Sequence, residues 1–160
     1  MNELALFERE ELIKFNSGLK ILYLGNERIR VSETYAQGFM IGWKRLESGP
    51  PIRVGREDAP PDEMHIHPEI DLSPVMPVAQ QGCVSRLHAV IEWQDGKPML
   101  RTYSRKSGTW VRRSGETRKR LLQLHEYHEL KHGDMIQLGH PRSIYVRLRI
   151  QFLGAPTDNT

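Results

Sequence analysis

Val84-Ser85-Arg86-Leu87-His88-Ala89-Val90-Ile91 opens as a polar loop and closes as a strand. Leu87, Ala89, Ile91 and Trp93 alternate with His88, Val90 and Glu92, a period of two that predicts a half-buried β-strand. Ser85 and Arg86 stand just before that strand, where the backbone turns and side chains point outward. Loops carried on a rigid sheet are where binding groups collect. A hydroxyl beside a guanidinium offers one neutral and several charged donors, a set that suits phosphate or carboxylate. Such a pair before a strand is more often simply solvated, so its meaning depends on what the rest of the chain places beside it.

Downstream of this stretch, short strands follow one another. Asp95-Gly96 predicts a tight hairpin turn into a strand over 99–103. A polar turn at 104–108 precedes a strand over 109–111, and Ser114-Gly115-Glu116 turns the chain toward a strand over 119–124. His132-Gly133-Asp134 is the turn before a strand over 135–139. In the last strand Ile144, Val146, Leu148, Ile150 and Phe152 alternate with Tyr145, Arg147, Arg149 and Gln151.

Upstream, Ile52-Arg53-Val54-Gly55-Arg56 is a short strand ending on a glycine-arginine step, and residues 39–46 read as another strand. Two β-prone runs, 20–24 and 28–31, flank Gly25-Asn26-Glu27 as a hairpin, and residues 2–16 carry the composition of a short helix. Residues 57–83 hold five prolines and little regular pattern apart from Glu69-Ile70-Asp71-Leu72, the mark of a functional or mobile loop. Many short strands with turn signals between them predict an all-β sandwich or barrel.

The 160 residues suffice for one domain with a proper core, and no apolar run is long enough to span a membrane as a helix. The single cysteine, Cys83, excludes an internal disulfide and fits a reducing, cytoplasmic setting. Charge is uneven. Residues 1–83 carry 9 Lys/Arg against 13 Asp/Glu, whereas residues 84–160 carry 14 against 7. A basic half predicts an anionic partner, either nucleic acid or phosphorylated protein.

Gly55-Arg56 after one strand, Ser85-Arg86-Leu87-His88 before another, Ser107-Gly108-Thr109 before a third, and Gly133-Asp134-x-Ile136-x-Leu138-Gly139 form an ordered set. In order and spacing this set resembles the forkhead-associated (FHA) domain, a β-sandwich of two antiparallel sheets that binds phosphothreonine peptides. The resemblance covers residues 39–153 and leaves 1–38 as an N-terminal extension and 154–160 as a polar tail. It implies that Arg56 grips the phosphate as a fork, that Ser85 donates its hydroxyl to another oxygen, and that Arg86 adds charge. His88 would brace the loops, Gly55 and Gly108 would supply backbone freedom, and Thr109 would give a supporting hydrogen bond. A phosphothreonine brings about two negative charges and three acceptor oxygens, and the planar guanidinium matches them as lysine cannot. The family's usual asparagine before Gly-Thr is Ser107 here, which cannot give paired amide contacts to a peptide backbone. Lys106, with Arg105 beside it, makes the same loop cationic and would offset that loss.

The expected function is therefore a non-enzymatic phosphothreonine-binding adaptor for a Ser/Thr-kinase substrate, with no cofactor, metal or membrane. One alternative is an FHA fold that has lost phosphate dependence and serves as a docking module. Another is nucleic-acid binding by the basic segment Arg112, Arg113, Arg118, Lys119 and Arg120, near Trp110 and Tyr103. Metal sets drawn from His65, His67, Cys83 and His88, or from His125, His128 and His132, lack zinc-like spacing. Ser85 and His88 lack an orienting acid for nucleophilic catalysis, and Glu57 and Asp58 read as solvated carboxylates.

Overall fold

The computed structural model describes residues 5–7, 17–26, 29–57, 67–76, 82–104 and 106–154. Twelve strands and one short helix follow in order among them: β1 (Ala5–Phe7), β2 (Gly18–Tyr23), β3 (Gly38–Ile41), α1 (Trp43–Ser48), β4 (Ile52–Gly55), β5 (Ile70–Asp71), β6 (Ala89–Gln94), β7 (Lys97–Thr102), β8 (Thr109–Arg112), β9 (Arg120–Leu121), β10 (Tyr127–Glu129), β11 (Met135–Gly139) and β12 (Tyr145–Leu153). They build a seven-stranded sheet, β1-β3-β2-β12-β11-β8-β9, and a five-stranded sheet, β10-β7-β6-β4-β5. Leu19, Ile21, Ile136, Val146, Leu148 and Ile150 of the first meet Ile52, Val54, Ile70, Ala89, Ile91 and Leu100 of the second in one apolar core. Burial of these alternating faces is the main force holding the sandwich closed.

The strongest alternations fold as predicted. In β12, Val146, Leu148 and Ile150 are buried while Arg147, Arg149 and Gln151 are half-exposed. Asp95 and Gly96 both take positive φ, 52° and 76°, which gives the twisted two-residue turn that joins β6 to β7. At the opening stretch the strand begins at Ala89, two residues later than the alternation implied. Leu87 is only half-buried, and His88, assigned to the polar set, is fully buried.

Several expectations are corrected. Ala5–Phe7 is a strand paired antiparallel to Gly38–Met40, so the expected helix over 2–16 does not hold there. Partner backbone on the edge of β3 outweighs a weak helical preference, and the remainder of 2–16 lies outside the described residues. The 20–31 hairpin survives as a turn only. Gly25 bridges Arg30 and Val31 donates to the Leu24 carbonyl at 3.1 Å, but the second run forms no strand, because β2 takes β12 and β3 as its neighbours. The strand expected over 39–46 stops at Ile41. Trp43 and Leu46, three apart, bury one face of α1, a spacing that a helix and not a strand places on one side. Ser48-Gly49-Pro50-Pro51 then ends the helix, with Gly49 N–H on the Arg45 carbonyl at 2.9 Å.

The sheets are antiparallel with one exception, since β5 runs parallel to β4 through Val54–Ile70 and Gly55–Asp71. The strand expected over 119–124 shrinks to Arg120–Leu121, and β10 was not foreseen. Ile144 precedes its strand and is 47% exposed. Finally, β2 sits between β12 and β3, so the strands before residue 38 are built into the sandwich and not appended to it. The outer face of that sheet is covered too, because Leu22, Met40 and Met135 pack with Leu24, Val31 and Ala36.

Candidate functional site

Three loops leave the strands at one end of the sandwich: the loop after β4, the loop before β6 and the loop between β7 and β8. Backbone first brings them together. His88 N–H donates to the Val54 carbonyl, and Tyr103 N–H to the His88 carbonyl, both at 2.9 Å. Gly55 is required by this close approach. A Cβ there would run into the Arg86 carbonyl, with the Ser85 carbonyl only 2.9 Å away.

Side chains then tie the loops. Arg56 Nε donates to the Val84 carbonyl at 2.5 Å, which sets the guanidinium beside the residue that precedes Ser85. Just after it, Glu57 N–H is held by Asp71 Oδ1 at 3.0 Å and by Ser73 Oγ at 2.9 Å, and Ser73 Oγ donates back to the Glu57 carbonyl at 2.9 Å. The β4 loop is thus clamped where it leaves the sheet. Asp71 and Ser73 were missed from the sequence, although Asp-x-Ser is itself a turn signal: Ser73 N–H lies 2.9 Å from Asp71 Oδ1.

His88 hydrogen-bonds two of the loops. Its Nδ1 accepts the Ser85 N–H at 3.1 Å and its Nε2 donates to the Gly108 carbonyl at 2.8 Å. Those two partners fix the neutral tautomer with the proton on Nε2. Burial pushes its pKa down to about 4, against a smaller upward pull from the Gly108 carbonyl. With both nitrogens committed, the ring takes no proton from the Ser85 hydroxyl, which removes the serine-histidine catalytic reading. Gly108 has φ +80°, and a Cβ there would press on the Trp110 ring at 2.6 Å. Thr109, fully buried, bonds Thr102 hydroxyl to hydroxyl at 2.8 Å.

Ser85 reaches across to the third loop. Its Oγ lies 2.7 Å from Ser104 Oγ, and Ser107 N–H donates to the same Ser104 oxygen at 3.2 Å. Ser104 is buried and was not singled out from the sequence, because its role depends on register between two loops. Arg86 and Lys106 are exposed at the rim, and Arg105 lies outside the described residues.

The competing sites come apart. Cys83 is a buried core residue whose thiol is pushed up to about 11 by burial, against smaller downward pulls from a backbone hydrogen bond and from nearby Arg56. His125 stands edge-on to Tyr103, His128 bonds the buried Asp134 carboxylate at 3.2 Å, and His132 Nδ1 accepts the Phe152 N–H at 2.9 Å, three histidines with three unrelated partners. No group of three metal-ligating side chains occurs among the described residues, which exclude His65 and Asp58. Much of the basic segment is engaged inward or along the surface. Arg113 pairs with Asp134 at 2.7 Å, Arg120 with Glu126 at 2.6 Å, and Lys119 reaches Gln137 at 2.5 Å.

The family model of the FHA domain matches residues 52–139 of the chain, the span that holds all three loops. The chain belongs to the FHA-domain family. FHA domains are in general non-catalytic interaction modules. Among solved structures, the FHA domain of an Arabidopsis thaliana hypothetical protein is 20% identical, with a TM-score of 0.52, covering 90% of this chain and 92% of that one. The N-terminal FHA domain of S. cerevisiae Rad53p, solved with a phosphothreonine peptide, is 16% identical with a TM-score of 0.52, covering 84% and 93%. Full-length yeast Pml1p is 14% identical with a TM-score of 0.55, covering 88% and 90%. At these identities the likeness establishes the fold. Among curated proteins no sequence matches the chain.

Proposed function

We propose that this FHA domain is a phosphothreonine-dependent adaptor that docks a kinase-modified segment of another protein and performs no chemistry on it. The observation that supports this reading best is the bond from Arg56 Nε to the Val84 carbonyl, which anchors a guanidinium against the loop residue just before Ser85, while the Ser85 N–H is held by His88. Arg56 would grip two phosphate oxygens and Ser85 would donate to the third, with Arg86 and Lys106 adding charge at the rim. Ser107 would face the peptide backbone with less purchase than an asparagine, and Lys106 would compensate. Gly55, His88, Gly108 and Thr109 would act by holding the loops. The complex of Rad53p with a phosphothreonine peptide supports the assignment by likeness of fold. A cytoplasmic location is the companion proposal, resting on the lone buried Cys83.

A degenerate phosphothreonine peptide library, presented to wild type and Arg56→Ala in parallel, tests the reading. Phosphate-dependent capture by wild type and its loss in the variant are expected, with affinity falling as salt is added. Capture that ignores the phosphate would favour the docking-module alternative, which Ser107 in place of asparagine keeps in view. Lys106→Ala is expected to weaken binding severalfold, and unchanged affinity would remove Lys106 from the site.

A further inference from the structure

We infer that Ser104 is a positioning residue that points the Ser85 hydroxyl proton out toward the phosphate. This rests on the phosphopeptide reading above and adds to it a residue outside the recognised motifs. The inference follows from counting protons. Ser104 Oγ receives the Ser107 N–H at 3.2 Å, a bond in which the backbone can only donate. Among the described residues the other bond of the Ser104 hydroxyl is to Ser85 Oγ at 2.7 Å, where either hydroxyl is chemically able to donate.

If Ser85 donated, Ser104 would accept twice and its own proton would have no acceptor among the described residues. Ser104 is 8% exposed, so water would give that proton little help, and a buried donor without a partner is unfavourable. If Ser104 donates, every proton is placed. Ser107 N–H points to Ser104, Ser104 O–H points to Ser85, and the Ser85 proton turns to whatever occupies the site. Such a chain is also self-reinforcing, because each oxygen that accepts becomes a better donor. The arrangement presents a donor to the ligand, as an anion with only acceptor oxygens demands. It also couples the β7–β8 loop, where Ser107 replaces the usual asparagine, to the phosphate contact.

The test is a double-mutant cycle on phosphothreonine-peptide affinity, with Ser104→Ala, Ser85→Ala and the pair, each checked for an unchanged thermal midpoint. Ser104→Ala alone is expected to weaken binding about tenfold, the scale of one charge-assisted hydrogen bond. In the Ser85→Ala background the same change is expected to cost less than about twofold, since no hydroxyl remains to be aimed. Ser104→Thr, which keeps the hydroxyl, is expected to bind within about threefold of wild type. Equal losses in both backgrounds would mean that Ser104 only supports the loop, and no loss in either would mean that it does nothing for binding. Both results overturn the inference while leaving the adaptor reading intact. A wild type that binds no phosphopeptide overturns the adaptor reading and takes this inference with it.

Discussion

At the scale of single residues, the site depends on two contacts that cannot be relaxed cheaply. Gly55 lies where the β4 loop passes under the backbone of 85–86, and any Cβ there meets main-chain atoms that have no rotamer to change. Gly55→Ala is therefore expected to destabilise the fold by about 2 kcal/mol, read as a lower urea midpoint with an unchanged slope. His88 makes a different demand, because it is buried neutral and its pKa is pushed down to about 4. An unfolded chain takes up its proton near pH 6.5, whereas the folded one refuses it until about pH 4, so the unfolded state binds the extra proton between those values. The contribution of His88 to stability is full above pH 6.5 and declines as pH falls toward 4, by about 3 kcal/mol in all. Urea midpoints measured from pH 7 to pH 4 should fall more steeply in wild type than in His88→Gln, and parallel slopes would contradict the neutral brace.

Elements differ in how much of them the sequence reveals, and the reason is length. β12 runs for nine residues, long enough for a period of two to stand out, and its buried and half-exposed side chains alternate accordingly. β1, β5, β9 and β10 have two or three residues each. No period exists at that length, and the strand is defined by the partner backbone it happens to meet. The same contrast divides the site. Arg56, Ser85, His88 and Gly108 belong to compact local motifs, while Ser104, Asp71 and Ser73 reach the site through partners distant in sequence. Helix α1 is the instructive error, since residues 39–46 read as one strand until Trp43 and Leu46 are seen to share a helical face. Trp43 packs edge-on against Phe152 with centroids 5.0 Å apart, and its Nε1 donates to the Leu153 carbonyl at 3.0 Å. Trp43→Ala should cost about 3–5 kcal/mol, and Trp43→Phe about 1–2 kcal/mol because the ring packing largely stays and the hydrogen bond goes. Near-equal losses in urea denaturation would mean that the hydrogen bond outweighs the packing.

For the whole molecule, the decisive question is where the folding unit begins. The resemblance starts at residue 39 and the family model at residue 52, yet the sheet includes β2 between β12 and β3. Six register pairs join β2 to β12, from Leu148–Tyr23 to Leu153–Gly18. Leu19, Ile21 and Tyr23 lie in the core at 0%, 1% and 4% exposure. Burying three such side chains is worth about 5–9 kcal/mol, comparable to the 5–15 kcal/mol that holds a typical domain together. β1 adds only a three-residue edge to β3. A chain starting at Gly18 should therefore unfold cooperatively at a midpoint only a few degrees lower, whereas one starting at Phe39 should show no cooperative transition and bind no peptide. The loops that form the site have no residue before 52, so that second loss would come through the sheet alone. β2 would then be the base on which the candidate site stands, through β12 and β11 to the Gly108 carbonyl that receives the Gly139 N–H at 3.2 Å. Cooperative unfolding of the chain from Phe39 would instead return the domain boundary to residue 38 and make β2 an accessory strand.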